Sequence, residues 1–291
     1  NGFYAMKAHW SEHPDRNDDW ADAEKARIGE ERFRREHECE FLIFDETLID
    51  SIHLADMEAS SPVETTGQVR WFKRPTPGMT YLTSLDPAMG TGGDYAAIQV
   101  FELPTFEQVG EWHHNTTPMN QQVRILQQIN KHIHDSIMEK DSSATPQIFY
   151  SMENNTIGEA ALLRVMDIGE ENIMGMFLSE PIRKGHRRKF RRGFNTTAKH
   201  KIDACTKFKE LIENNKMKIN SQLLISELKD FVASGMSYKA KPGQHDDLVS
   251  SCLLMTRMMK VLADFDPKIF EKWTDRTSEL APMPIFGSFT G

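Results

Sequence analysis

Residues 81–101 constrain the fold of this chain more than any other stretch. An apolar-rich run ends at Asp86, a glycine-rich turn follows at 90–93, and a run rich in β-forming residues begins directly after it. A third such run, 108–113, comes after a proline. Bounded runs separated by Gly and Pro are typical of strands and tight connections, so this stretch predicts a β-meander. We expect Asp86 on the first strand, beside a turn that lets a bulky substrate approach.

Asp86 alone does not establish a functional site, because Asp and Gly are ordinary turn residues. A site that holds divalent ions needs several oxygen ligands. Glu153 follows a short predicted strand at 146–152, and Asp246 and Asp247 open a final apolar helix. Each also has a plainer role, as a polar strand end or as a helix cap that offsets the helix dipole. The case for a site therefore rests on the three elements together.

The other predicted elements determine whether these acids can meet. Apolar residues at helical spacing predict an amphipathic helix over 118–140, and a strand is expected at 173–178. Further helices are predicted at 18–35, 157–166, 198–214, 223–231 and 248–265, a β run at 40–44, and a turn or hairpin at 235–243. If the first and fourth strands of the main domain are neighbours, Asp86 and Glu153 lie side by side. The last helix then brings Asp246 or Asp247 across to them.

Composition sets broad limits. The chain has 291 residues, no signal-peptide pattern and no apolar run of about 18 residues that would span a membrane. The formal net charge of −8 argues against a protein that coats nucleic acid with uniform positive charge, although it is compatible with a local basic groove. The three cysteines are far apart and lack zinc-binding spacing, so we expect ordinary thiols in a reducing compartment.

A polar, Pro-containing stretch near residue 60 predicts a division of the chain. We expect a short, mostly helical segment at 1–57, a linker at 58–74, an α/β domain at 75–265 and a tail at 266–291. The first residue is Asn1, as expected for a piece of a longer protein. The sequence contains no Walker-type phosphate loop, so ATP hydrolysis is not expected from this chain.

Residues 183–192, called here the basic segment, contain seven Lys or Arg residues in ten. Such a run is expected to contact the phosphate backbone of a nucleic acid without reading its sequence, and the plainer alternative is a solvated surface loop. The predicted DNA-binding residues are Arg183, Lys184, Arg187, Arg188, Lys189, Arg191 and Arg192, followed by Lys199 and Lys201.

Four motifs occur in order: Leu85-Asp-Pro with Gly90-x-Gly-Gly-Asp-Tyr95, Met152-Glu-Asn-Asn155, Gly193-Phe-Asn-Thr-Thr-Ala-Lys199 and His245-Asp-Asp-Leu-Val249. With these motifs, residues 75–265 resemble the C-terminal nuclease half of the large terminase subunit of tailed bacteriophages, the DNA-packaging motor protein. The closest resemblance is to the type found in contractile-tailed phages. Residues 13–41 resemble the end of that family's ATPase domain.

The resemblance implies an RNase H-like mixed sheet flanked by helices, and metal-dependent cutting of concatemeric double-stranded DNA with little sequence specificity. It assigns catalytic metal ligands to Asp86, Glu153 and one of Asp246 and Asp247, without deciding between the last two. We hypothesise hydrolysis with two Mg²⁺ or Mn²⁺ ions. The implied partners are DNA, a portal ring, a small terminase subunit and the ATPase domain of the same full-length protein. The implied location is the host-cell cytoplasm, without membrane association.

Three alternatives stay open. Asp86 with the glycine turn is faintly similar to the phosphate turn of sugar-kinase and actin-like ATPases, although the second glycine-rich turn of those proteins is not seen. A non-catalytic DNA-binding or docking module would use the carboxylates only as helix caps and would bind no metal. Another RNase H-like nuclease, of the resolvase or transposase type, would prefer branched DNA or defined ends.

Overall fold

The computed structural model describes residues 9–38, 46–181 and 192–265. The predicted helix at 18–35 is present as two helices, α1 (Asp18–Ile28) and α2 (Glu30–Glu36), which are separated by Gly29. Trp10, Trp20 and Phe33 pack against one another, with ring centroids 6.0 to 6.1 Å apart. The β run predicted at 40–44 lies outside the described residues.

A mixed sheet of seven strands forms the centre of the described chain. In chain order the strands are β1 (Glu64–Thr66), β2 (Val69–Trp71), β3 (Thr80–Asp86), β4 (Ala96–Leu103), β5 (Glu107–His114), β6 (Gln147–Met152) and β7 (Met176–Phe177). Their order across the sheet is β1-β2-β5-β4-β3-β6-β7. The antiparallel β3-β4-β5 meander and the parallel pairing of β3 with β6 confirm the predicted topology.

Two parts of the sheet differ from the sequence prediction. The predicted linker, 58–74, contains β1 and β2, which extend the sheet through antiparallel pairing of β2 with β5. Of the strand predicted at 173–178, only the two residues of β7 form regular strand pairs, with β6. Its neighbour Leu178 still donates its backbone N–H to the carbonyl of Tyr150 at 2.8 Å, so the chain stays extended along β6 beyond the strand.

Helices cover both faces of the sheet. They are α3 (Ser51–Asp56), α4 (Met119–Lys140), α5 (Thr156–Ile168), α6 (Ala198–Glu213), α7 (Gln222–Asp230) and α8 (Asp247–Phe265), and β8 (Phe231–Ser234) with β9 (Ser237–Ala240) forms a hairpin. The apolar stripe of α4 packs with α5 on one face, and α6, α7 and α8 share a second core on the other. Because both faces are covered, the central strands are buried along nearly their whole length.

The helix α8 is fixed to β3 by polar as well as apolar contacts. The Ser84 hydroxyl lies 2.8 Å from the Ser251 hydroxyl and donates to the Ser251 carbonyl at 2.9 Å, while the Ser251 hydroxyl donates to the Ser84 carbonyl at 3.1 Å. Both serines are fully buried. Buried hydroxyls that are satisfied in this way specify one alignment of two elements. The start of α8 is therefore set relative to the end of β3.

None of the helices in the described ranges has the combination of length and apolar character needed to cross a membrane.

Candidate active site

Asp86 and Glu153 lie at the ends of two neighbouring parallel strands. Asp86 is the last residue of β3, and the preceding Leu85 pairs with Met152, the last residue of β6. The backbone N–H of Glu153 donates to the Leu85 carbonyl at 3.1 Å, which extends the parallel pairing by one step. The carboxyl ends of adjacent parallel strands meet at one edge of a sheet, which is a usual place for a site in α/β proteins. The expected side-by-side placement of Asp86 and Glu153 is thus present.

The connection from β6 to α5 holds Glu153 from the other side. Asn155 is the N-cap of α5: its side-chain oxygen accepts from the Gly158 N–H at 2.7 Å, and its amide donates to Glu153 Oε2 at 3.2 Å. The helix approaches Glu153 very closely, because a Cβ atom added at Gly158 would lie 1.8 Å from the Glu153 carbonyl oxygen. Only glycine fits there while the backbone keeps this path.

Asp246 and Asp247 stand at the start of α8, as the sequence predicts. Asp247 Oδ2 accepts from the backbone N–H of Tyr95 at 3.3 Å and lies 3.6 Å from His245 Nδ1. Asp246 Oδ2 lies 3.6 Å from Lys201 Nζ on α6. The two neighbouring acids therefore have different surroundings, since one is held by the chain that follows the glycine turn and the other by a cation.

Electrostatics shows that the four acids, Asp86, Glu153, Asp246 and Asp247, share one space. Burial, followed by the charge and hydrogen bonding of Glu153 and then the charges of Asp247 and Asp246, raises the pKa of Asp86 well above its usual range. Burial, together with the charges of Asp246 and Asp94, raises the pKa of Asp247 to about 6, against the lowering effects of the Tyr95 N–H and His245. Like charges held together resist ionisation, and a cation relieves the repulsion.

The chemistry of these side chains fits a hard divalent cation. Mg²⁺ and Mn²⁺ prefer carboxylate oxygens and need only a few from the protein, with water and substrate as the other ligands. Within residues 9–38, 46–181 and 192–265, however, no three His, Cys, Asp or Glu side chains already form a group set for a metal ion. The four acids therefore converge on one space without being drawn together into a finished coordination shell.

A buried acid–imidazole pair lies behind the start of α8. Glu227 on α7 accepts the backbone N–H of Val249 at Oε2, 3.1 Å away, and its Oε1 lies 3.7 Å from His113 Nε2 on β5. The His113 ring stacks on Tyr95 with centroids 4.1 Å apart. Burial raises the pKa of Glu227 to about 9 and lowers that of His113 to about 4, so both groups are neutral near pH 7.

Most of the predicted DNA-binding residues, Arg183, Lys184, Arg187, Arg188, Lys189 and Arg191, lie outside the described residues. Three others are described. Arg192 forms an ion pair with Glu170, Lys199 is exposed in the first turn of α6, and Lys201 is the partner of Asp246. Lys201 therefore places positive charge beside Asp246, at the start of α8.

The residues that flank the basic segment in sequence are held together next to Glu153. The Glu180 N–H donates to the Gly193 carbonyl at 3.2 Å, and the Gly193 N–H donates to Ser179 Oγ at 3.1 Å. Phe194 then pairs with the chain around Glu153, donating its N–H to the Met152 carbonyl at 3.2 Å. Glu180 and Gly193, which flank the basic segment, therefore lie beside the chain at Glu153.

Sequence reasoning missed several residues that position the acids. Gly158 was an unremarkable position in a predicted helix, although an Asn-x-x-Gly start with a glycine in the first turn is a signal that could have been noticed. Glu227 and His113 gave no signal, because each is brought to the site only by tertiary packing. Arg257 on α8 is a similar case: it donates to the Asn195 carbonyl at 3.0 Å and pairs with Glu180, which fixes the chain after the basic segment.

Comparisons with known proteins agree with this fold. The large terminase nuclease of thermophilic phage G20c with bound magnesium superposes with a TM-score of 0.54 at 17% identity, covering 74% of this chain and 97% of that one. The same nuclease with bound cobalt gives the same four values. At this level of identity the likeness shows the fold, which confirms the RNase H-like prediction.

The family model for the terminase RNase H-like domain matches residues 83–258, a range that runs from β3 to α8 and includes all four acids. The chain therefore belongs to the terminase RNase H-like domain family, as the resemblance of its motifs predicts.

Proposed function

We propose that this chain is the endonuclease of a viral DNA-packaging terminase, and that it cuts double-stranded DNA by metal-dependent hydrolysis with little sequence preference. The observation that supports this best is the convergence of Asp86, Glu153 and Asp247 from three separate elements, with the pKa of Asp86 raised well above its usual range by burial and by the other acids. A set of helix caps would not produce that mutual repulsion.

Asp86, Glu153 and Asp247 are the proposed metal ligands. Asp247 is preferred over Asp246 because its charge acts more strongly on Asp86, and because Asp246 already faces Lys201. The magnesium and cobalt bound to the G20c nuclease support a divalent cation. When bound, two Mg²⁺ or Mn²⁺ ions would lower the pKa of the attacking water and stabilise the negative charge on the leaving 3′ oxygen.

The protein's own part in this reaction is to hold and orient. Asn155 fixes the Glu153 carboxylate from the start of α5, and the Tyr95 N–H fixes Asp247. Because burial and the neighbouring acids raise the pKa values of Asp86 and Asp247, nearby positive charge would favour the ionised form of both. No covalent nucleophile from the protein is needed.

The basic segment, with Lys199 and Lys201, is proposed to bind the DNA backbone. The residues that flank it, Glu180 and Gly193, are joined beside Glu153, so a duplex bound by the segment would pass close to the acids. Phosphate contacts give affinity without sequence discrimination. This suits an enzyme that must cut wherever packaging stops. A portal ring, a small terminase subunit and the ATPase domain of the same full-length protein are the proposed partners, in the host-cell cytoplasm.

Cleavage of supercoiled plasmid in Mg²⁺ or Mn²⁺ tests the proposal, with EDTA as a metal-free control. Asp86→Ala and Glu153→Ala are expected to lose nicking while keeping the wild-type far-UV circular dichroism. Asp167→Ala is the matched control, since this carboxylate lies on α5 with 68% of its side chain exposed. It is expected to cut like wild type.

Plasmid cleavage, together with metal binding and substrate preference, separates the alternatives. Cutting that survives both ligand substitutions would refute the carboxylate mechanism. A wild-type protein that binds DNA but no Mn²⁺ would indicate a docking module. A strong preference for branched DNA over plasmid would indicate a resolvase-type enzyme.

A further inference from the structure

Glu227 occupies a position that the chemistry of the four acids does not use. It lies on α7, far from Asp86 in sequence, and 10% of its side chain is exposed. Its Oε2 accepts from the Val249 N–H at 3.1 Å, in the first turn of α8. The first N–H groups of a helix have no partner within the helix, and they must be satisfied by a cap. Here α7 supplies a cap to the helix that begins with Asp247.

Glu227 is also connected to Asp247 through His113 and Tyr95. Its Oε1 faces His113 Nε2 at 3.7 Å, and the His113 ring stacks flat on Tyr95 with an interplanar angle of 17°. The backbone N–H of Tyr95 donates to Asp247 Oδ2. Glu227 therefore contacts the first turn of α8 directly, and through His113 it also contacts Tyr95, whose N–H donates to Asp247.

From these contacts we infer that Glu227 is a positioning residue for metal binding: it fixes the first turn of α8 so that Asp247 faces Asp86 and Glu153. This inference rests on the proposed function. Groups that orient metal ligands from behind typically affect metal affinity by about 10- to 100-fold when they are changed. The important property of Glu227 is the position of its acceptor oxygen and not its charge.

Three substitutions separate these properties. Glu227→Gln keeps an acceptor oxygen at the same distance along the side chain and resembles a neutral carboxylic acid. Glu227→Asp keeps the carboxylate but withdraws it by one methylene, and Glu227→Met keeps the length without an oxygen acceptor. Glu210→Asp is the matched control, because Glu210 lies on α6 with 55% of its side chain exposed.

The experiment is a calorimetric titration of the full chain with Mn²⁺, with plasmid cleavage and urea unfolding measured on the same preparations. Glu227→Asp and Glu227→Met are expected to weaken Mn²⁺ binding by about tenfold or more, whereas Glu227→Gln and Glu210→Asp stay close to wild type. At saturating Mn²⁺, kcat is expected to fall in the impaired variants while the KM for DNA is unchanged. If one impaired variant fails to fold, the other decides.

Two results would overturn the inference. One is wild-type Mn²⁺ affinity in folded Glu227→Asp or Glu227→Met. The other is a Glu227→Gln protein as impaired as these two, which would show that an acceptor oxygen at this position is not the important property. In both cases wild type still binds Mn²⁺ and cuts DNA, so the proposed function stands. A wild-type chain that neither binds Mn²⁺ nor cuts would overturn both.

Discussion

Replacing Gly158 with alanine is expected to disable the site from a position that contacts no substrate. Gly158 lies in the first turn of α5, where its N–H donates to the side chain of Asn155. An added Cβ would stand 1.8 Å from the carbonyl oxygen of Glu153 and 2.8 Å from its carbonyl carbon. These are backbone atoms, so no flexible side chain can turn aside to make room.

The size of the effect follows from that overlap. An ordinary contact of a Cβ begins at 3.4 Å, so Glu153 and the start of α5 must separate by about 1.6 Å. Alanine is favoured over glycine in a helix by about 1 kcal/mol, whereas overpacking costs about 1–3 kcal/mol. We expect a net loss of up to about 2 kcal/mol in the free energy of unfolding. Because a misplacement of about 1 Å can cost about 100-fold in rate, the fall in cleavage should be at least that large.

Urea unfolding and plasmid cleavage in Mn²⁺ measure the two effects on one preparation. Gly93→Ala is the stability control, because an added Cβ at Gly93 has nothing within 4 Å and its φ is not positive. A Gly158→Ala protein with the urea midpoint and cleavage rate of wild type would refute the reasoning. A protein that is destabilised but cuts at the wild-type rate would show that α5 moves and Glu153 does not.

Three further predictions concern protons, salt and packing. Burial raises the pKa of Asp247 from its ordinary 3.8 to about 6, so protonation of this group stabilises the metal-free fold fully below pH 3.8, and this stabilisation is lost as the pH rises through 6. Protons compete with the metal for the same carboxylate, so the Mn²⁺ affinity measured by calorimetry should fall by up to about tenfold for each pH unit below 6. The substitution Asp247→Asn should reduce this pH dependence. Lys199→Gln should lower the slope of log affinity for DNA against log salt by about 0.9, measured by fluorescence anisotropy in EDTA, and an unchanged slope, as expected for the control Lys207→Gln, would exclude a phosphate contact. Ser251→Ala should lower the free energy of urea unfolding by about 1–2 kcal/mol, because the Ser84 hydroxyl and carbonyl lose a partner; no loss would show that water replaces it.

The parts of the fold that were predictable are those set by local patterns. The meander around Asp86 follows from β-forming runs between Gly and Pro, and α4 follows from an apolar stripe that is buried in the structure. The parallel pairing of β3 with β6 is not local. Its expectation came from supposing that these strands are neighbours, together with the resemblance to a family, and it placed Glu153 correctly beside Asp86.

The parts that were missed depend on contacts between distant segments. β1 and β2 lie in a polar stretch that resembles a linker, and they become strands only because β5 offers an edge to pair with. The choice between Asp246 and Asp247 could not be made from sequence, because both stand at the same helix start. The proposal of Asp247 rests instead on the positions of Lys201 and Tyr95, which approach from other elements.

The hydrogen bonds that join the chain on either side of the basic segment affect how freely the sequence of that segment can change. The Glu180 N–H donates to the Gly193 carbonyl and the Gly193 N–H donates to Ser179 Oγ, so the points on either side of the segment are fixed, and Phe194 ties the second point to the chain at Glu153. Lengthening a chain whose ends are fixed costs only about 0.6 kcal/mol for each doubling of its length. Insertions and exchanges between these points are therefore expected to cost the fold little. The composition of this segment can thus vary independently of the contacts that hold Glu153 between β6 and α5.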